Sequence, residues 1–146
     1  MNALEKIVDL LIAVVLMFLV PVLYYSGKHQ LSETIMAAQA GKHFLNRISV
    51  SGEITVPVWK ELERNLAMYG CAEFSLQRER DLYEPTENPG EIAERTYCLE
   101  KEQIEKQIRE QGACLLQKGD RMSLTIYREQ APMTYCEYIR TGATKR

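Results

Sequence analysis

The side chains of this chain that could do chemistry are few and widely spaced. His29 and His43 are its two histidines, and in a helix they would lie about 21 Å apart at 1.5 Å per residue. They cannot share one metal ion, so solvated positions on a helix are the simpler interpretation. The sequence contains no GxSxG, HExxH, glycine-rich phosphate loop or EF-hand pattern. We therefore expect no catalytic residue, no metal site and no cofactor.

The cysteines are the next candidates, and all four lie in the second half of the chain. No CxxC or Cys/His spacing is present, which argues against zinc. An even set of cysteines in an exported domain often forms disulfides, whereas four small buried side chains are an equally simple alternative. The sequence leaves both interpretations open for Cys71, Cys98, Cys114 and Cys136.

Two carboxylates stand at the entry of an apolar run that carries no charge from residue 10 to residue 25. Ionised groups at the edge of a membrane helix are costly and need a partner or water. Interfacial water and the positive helix N-terminus satisfy Glu5. Asp9 lies one turn further in, where a neighbouring subunit's α-amino group or a lysine is the alternative partner. We therefore treat Glu5 and Asp9, together with Pro21 further along the run, as candidate assembly residues.

The apolar run is long enough to cross a lipid bilayer. Residues 7–25 compare with the roughly 20 apolar residues that a hydrocarbon core requires. Tyr24 and Tyr25 then fall at an interface, and Pro21 is tolerated inside a membrane helix. A cleaved signal peptide would need a basic start and a small-x-small cleavage site just after the run. The start MNALEK is hardly basic, and the one such triplet nearby, at 38–40, lies too far downstream. We expect an uncleaved single-pass anchor, with the lipid bilayer as one partner.

Charge and composition exclude several classes of protein. The 146-residue length leaves room for one small domain beside the anchor, which excludes a multi-domain enzyme, and 46% hydrophobic residues exclude a disordered chain. A net charge of −2 gives no basic footprint for nucleic acid. The positive-inside count, with Lys28, Lys42 and Arg47 after the run against Lys6 before it, favours a cytoplasmic head.

Hydrophobic spacing predicts a long helix followed by a small α+β head. Leu31, Ile35, Phe44 and Ile48 continue a helical period beyond the anchor, so one helix is expected over residues 4–48. The predicted divisions are a membrane helix over 1–25, an amphipathic shaft over 26–50 and a head over 51–146. The head should contain an antiparallel sheet and two short helices. Its predicted elements are a helix carrying Trp59, Leu62 and Leu66, a strand over 72–77, an acidic Pro/Gly loop over 81–91, a strand over 95–99, a helix over 100–111, and a hairpin of strands over 122–126 and 133–140.

These features resemble a pilin-like subunit, in which a hydrophobic N-terminal helix with an early glutamate and an interior proline leads into a β-rich head. Here the matching features are Glu5, Pro21 and the helix to Ile48. Two further segments, FLNRI followed by SGEIT (44–48 and 51–55) and LQKGD (116–120), are similar to minor pilin-like subunits of Tad-type (tight adherence) systems in Gram-positive bacteria. The resemblance implies a cytoplasmic N-terminus, an extracellular head, and assembly through N-terminal helices. No basic leader with a prepilin-peptidase site precedes the run, which departs from the family pattern.

The sequence therefore predicts a membrane-anchored structural or assembly component of a Tad-type or type IV-like pilus or secretion apparatus. Its partners would be other pilin-like or membrane subunits that pack against the N-terminal helix. The alternative is a single-pass anchored module that binds a ligand or protein through its sheet or through the 81–91 loop.

Overall fold

The computed structural model describes residues 2–85, 92–128 and 131–143 of the chain. The chain divides into two units, Met1–Met36 and Ala37–Arg146, and the helix α1 (Ala3–Ser51) contributes to both. The predicted shaft over residues 26–50 straddles this division, so its second part belongs to the same unit as the head.

The head unit combines helices with two antiparallel sheets. A four-stranded sheet has the order β3-β2-β5-β6, and a separate two-stranded sheet pairs β1 with β4. Every pairing is antiparallel. The elements after α1 are β1 (Glu53–Thr55), α2 (Val56–Met68), β2 (Phe74–Pro85), β3 (Ile92–Leu99), α3 (Lys101–Gln111), β4 (Ala113–Leu115), β5 (Arg121–Ile126) and β6 (Met133–Tyr138).

One face of the four-stranded sheet forms one side of the hydrophobic core. Met122, Leu124 and Ile126 alternate along β5 and are each fully buried, while the residues between them face outward. The helices cover this face with apolar side chains, because each presents one apolar stripe to the sheet. The contributors are Ala37, Phe44, Leu45 and Ile48 from α1, Val58, Trp59, Leu62 and Leu66 from α2, and Ile104 and Ile108 from α3.

A glycine allows α1 to approach the sheet closely. A Cβ at Gly41 would stand 3.0 Å from Cδ2 of Leu124 and 3.2 Å from Cδ1 of Ile126. A side chain at this position would therefore push the helix away from β5, since a packed core has no space to absorb it. Gly41 lies in the part of α1 that belongs to the head unit.

The α+β class, the long N-terminal helix and the antiparallel sheet are confirmed. The helix over 100–111 and the strand that carries Met122 and Ile126 also lie where the sequence predicts them. Two expectations are corrected. The strand predicted over 72–77 runs from Phe74 to Pro85, so the first part of the predicted acidic loop is strand, and residues 86–91 lie outside the described residues. The short β1–β4 sheet was not predicted, because strands of three residues are too short to show a period.

Cross-strand pairs explain why the polar end of β2 forms a strand. The hydroxyl of Thr96 donates to Oδ1 of Asp81 at 3.1 Å, and the hydroxyl of Tyr83 donates to Oε1 of Glu94 at 3.4 Å. Such polar pairs between facing strands stabilise the strand pairing. They give this end of β2 partners that the linear sequence does not reveal.

The C-terminal end of α1 is joined to the last strand by backbone geometry. Ser49 donates its hydroxyl to the carbonyl of Tyr138 at 2.7 Å, and its own carbonyl accepts the N–H groups of Arg140 and Thr141. Gly52 then ends the helix with φ +73. A Cβ on Gly52 would meet the carbonyl oxygen of Thr141 and the backbone beyond it.

We predict that Gly52→Ala destabilises the protein far more than Gly112→Ala. Gly112 ends α3 with φ +79, but a Cβ there meets no atom within 4 Å, so its substitution costs only the left-handed backbone strain of about 1–2 kcal/mol. Gly52→Ala adds a backbone clash to the same strain and should cost roughly 3–5 kcal/mol in the free energy of unfolding. Urea unfolding of the two variants measures this difference, and equal costs would contradict the close packing of the α1 terminus.

Candidate functional site

The apolar stretch of α1 carries its large side chains on the outside. Leu10 is 68% exposed and Phe18 is 69% exposed. An 18-residue window of this helix has a mean hydropathy of 2.7, and none of that window is buried inside the chain. By length and composition the helix could cross a membrane. Its apolar surface is the largest exposed hydrophobic feature among the described residues, and such surfaces mark contacts with membranes or partners.

The three predicted assembly residues lie along this stretch. Glu5 is in the first turn, where its Oε2 accepts the backbone N–H of Asn2 at 3.3 Å. Asp9 lies one turn further on and is exposed, so the two carboxylates share one side of the helix. Pro21 lies inside the helix, which continues through it; its missing N–H leaves the carbonyl of Met17 without its usual helical bond. Of the two carboxylates, that of Glu5 has a local partner and that of Asp9 has none among the described residues.

The histidines are placed on α1 as solvated side chains. Nδ1 of His29 lies 3.1 Å from Oε1 of Glu33, one turn away, and the His29 side chain is largely exposed. His43 is exposed as well. Within residues 2–85, 92–128 and 131–143, no group of three or more His, Cys, Asp or Glu side chains is arranged to hold a metal ion.

The four cysteines form no disulfide with one another among the described residues, and they divide into two pairs by burial. Cys71 and Cys114 are buried, whereas Cys98 and Cys136 are exposed. Burial raises the pKa of the Cys114 thiol, and the nearby guanidinium of Arg78 only partly opposes that effect. Burial, followed by the carboxylates of Glu79 and Glu100, raises the pKa of the Cys98 thiol. Formation of a disulfide among them stays a prediction.

The sheet register limits which cysteines could pair within one chain. Cys98 lies on the edge strand β3 and faces Glu79 on β2, which in turn faces Arg121 on β5. Cys136 lies on the opposite edge strand, β6, and faces Ser123 on β5. Three strand spacings therefore separate Cys98 from Cys136, which is roughly 14 Å or more. A disulfide requires Cα atoms within about 7 Å. Within one chain, Cys98 and Cys136 cannot bond to each other while the sheet is intact.

The head buries a carboxylate that is paired with an arginine. Arg80 Nε and Nη2 donate to the two carboxylate oxygens of Asp120, both at 2.7 Å, and Asp120 is 2% exposed. The backbone N–H of Gln117 also donates to this carboxylate at 2.8 Å. The hydrogen bonds with Asp120 raise the pKa of Arg80, although partial burial opposes the shift. The pair therefore fixes the turn that precedes β5 against the inner face of β2.

From the sequence, Asp120 stands out only as the end of the LQKGD segment, and Arg78 and Arg80 do not stand out at all. A signal was nevertheless present. Phe74 and Leu76 are the inward residues of the alternating strand, so Arg78 and Arg80 continue the inward parity. A charged residue at an inward position needs a buried partner, and the search for that partner leads to Asp120.

Comparisons of the chain with protein families, with curated proteins and with solved structures gave no match. The case for a function therefore depends on the residues and geometry described above.

We predict that Asp120→Asn costs about 3 kcal/mol in the free energy of unfolding. The substitution keeps the side-chain volume but leaves the guanidinium of Arg80 without its counter-charge, and breaking a buried pair costs about 3–5 kcal/mol. Glu79→Gln is the matched control, because Glu79 pairs with Arg121 at 3.2 Å on the exposed face, where a pair contributes about 0–1 kcal/mol. Chemical denaturation compares the two variants, and a control as costly as Asp120→Asn would contradict the structural role of the buried pair.

Proposed function

We propose that this chain is a membrane-anchored structural or assembly subunit of a Tad-type or type IV-like pilus or secretion apparatus. It acts through packing of its N-terminal helix against lipid and against the helices of other subunits. The observation that carries the proposal is the apolar window of α1, none of which is buried inside the chain. In water, each exposed leucine or phenylalanine forgoes about 1.5–3 kcal/mol of burial, so this surface requires an external cover.

An uncleaved anchor is favoured over a signal peptide by the helix itself. The helix does not end after the apolar segment but continues to Ser51. Proteolytic cleavage favours exposed loops, and residues 24–27, where a signal would be cut, are helical. The pilin-like resemblance adds the proposed orientation, with a cytoplasmic N-terminus and an extracellular head.

Asp9 is the residue that we assign to subunit contacts. An ionised carboxylate close to the hydrocarbon needs a cationic or hydrogen-bonding partner. Glu5 already accepts a hydrogen bond from the backbone of Asn2, whereas the carboxylate of Asp9 has no hydrogen bond or ion pair with another residue in the described part of the chain. A lysine or the α-amino group of a neighbouring subunit would neutralise it. Helix packing in the membrane would then depend on this one charged contact.

We predict that Asp9→Asn lowers recovery of partner subunits with the full chain by roughly fivefold to thirtyfold. This range corresponds to an interhelical polar contact of about 1–2 kcal/mol. Glu5→Gln, the matched loss of a carboxylate, should leave recovery within about twofold because Glu5 has a local partner. The measurement is quantitative mass spectrometry of pilus or secretion subunits that are cross-linked in membranes and purified with each variant.

Two outcomes of this comparison would overturn the proposal. Equal recovery with Asp9→Asn and the unaltered chain would remove Asp9 from the contact. Absence of pilus or secretion subunits from the unaltered sample would remove the assembly function.

One observation favours the alternative of an anchored binding module. The outer face of the four-stranded sheet has no helix packed on it among the described elements, and Tyr83 and Tyr138 on that face are 65% and 61% exposed. Exposed tyrosines suit protein contacts. If Tyr83→Ala and Tyr138→Ala abolish partner recovery while Asp9→Asn leaves it intact, the binding module replaces the assembly subunit as the better account.

A further inference from the structure

A second charged residue on the inner face of β2 has no ion pair within the described part of the chain. Arg78 is 6% exposed, and its Nη1 donates to the carbonyl of Leu115 at 3.3 Å. Its Nε is buried and has no hydrogen-bond partner among the described residues. A guanidinium does not release its proton in proteins, so Arg78 remains a buried cation. Such a group is costly unless an anion or further hydrogen bonds compensate it.

The buried carboxylate of Asp120 is already engaged by other groups. Both oxygens of Asp120 accept hydrogen bonds from Arg80, and one also accepts the N–H of Gln117. Arg78 and Arg80 are two residues apart on one strand and therefore lie on the same face, roughly 7 Å apart. Among the described residues, Asp120 compensates Arg80 and leaves the positive charge of Arg78 without a bonded carboxylate.

This excess charge borders a cavity of about 240 Å³. Arg78 and Arg80 form part of its wall, and three glutamines, Gln107, Gln111 and Gln117, contribute to the rest. The Oε1 atom of Gln107 accepts a hydrogen bond from the thiol of Cys114 at 3.1 Å. The amide N–H groups of Gln107 are therefore the part of this side chain that can bind a ligand as donors. A cavity of this size is smaller than the pockets of about 300–1,000 Å³ that hold drug-sized ligands.

We propose that this cavity binds a small organic monocarboxylate, whose carboxylate group pairs with the guanidinium of Arg78. One negative charge matches the one positive charge that the wall leaves uncompensated. The planar edge of a guanidinium fits two carboxylate oxygens, and Arg80 shows this fit with Asp120 in the same structure. The glutamine amides would bind polar groups on the rest of the ligand. This site is independent of the helix contacts proposed above.

Sodium propionate is the probe. Its control is propionamide, the neutral isostere, in sodium chloride that matches the ionic strength of the propionate sample. The full chain, purified in detergent, is unfolded by heat with each compound. At about ten times its Kd, propionate should raise the unfolding midpoint by roughly 4 °C over propionamide. Arg78→Met should abolish that difference. Arg64→Met removes an exposed charge from α2 and should retain it.

A second measurement on the unaltered protein keeps the proposal testable if Arg78→Met does not fold. Propionate should shift the ¹⁵N–¹H resonance of Arg78 Nε in the full chain and should leave that of Arg80 near its starting position. The proposal is overturned if propionate and propionamide give the same midpoint, if the Arg78 resonance does not move, or if the effect survives in Arg78→Met. An equal effect of inorganic phosphate would overturn the assignment to a carboxylate.

Discussion

The exposed apolar side chains between Leu4 and Tyr25 impose the constraint on which the account of this protein depends. Within the described residues, nothing in the chain buries the apolar window of α1, and the hydrophobic effect penalises such a surface in water. A bilayer would remove that penalty, and the thickness of its hydrocarbon core matches the length of this apolar segment. It also gives the position of Asp9 its significance, because a carboxylate is inexpensive in water and costly near hydrocarbon.

The head organises its own polar groups around a different constraint. Buried charges must be paired, and Arg80 with Asp120 satisfies this rule through two hydrogen bonds of 2.7 Å. Arg78 on the same strand does not satisfy it. The C-terminal part of α1 belongs to the head unit too. Ser49 donates a hydrogen bond to the end of β6, and Gly41 allows the helix to approach β5 closely. This part of α1 therefore contributes side chains to the hydrophobic core of the head.

Periodicity predicted the elements whose residues have one clear environment. Ile104 and Ile108 identify α3 because they are the only apolar residues on a charged helix, and Met122 to Ile126 alternate as a half-buried strand must. The polar end of β2 could not be predicted, because its partners, such as Thr96 for Asp81, are distant in sequence. The Arg80–Asp120 pair was missed for the same reason. Glu5, Asp9 and Pro21 can be singled out from the sequence because their setting is local, and their role in assembly stays a prediction.

The most direct test of the central claim is the side of the membrane on which the two ends of the chain lie. A membrane-impermeant maleimide is applied to intact cells that produce the full chain with Ala3→Cys, and labelled peptides are identified by mass spectrometry. Cys136 is exposed in the head, whereas Cys71 and Cys114 are buried and serve as internal controls. The account predicts labelling at Cys136 in intact cells and at position 3 only after lysis. Labelling of both positions in intact cells, or of neither before lysis, would contradict a helix that spans the membrane with the head outside.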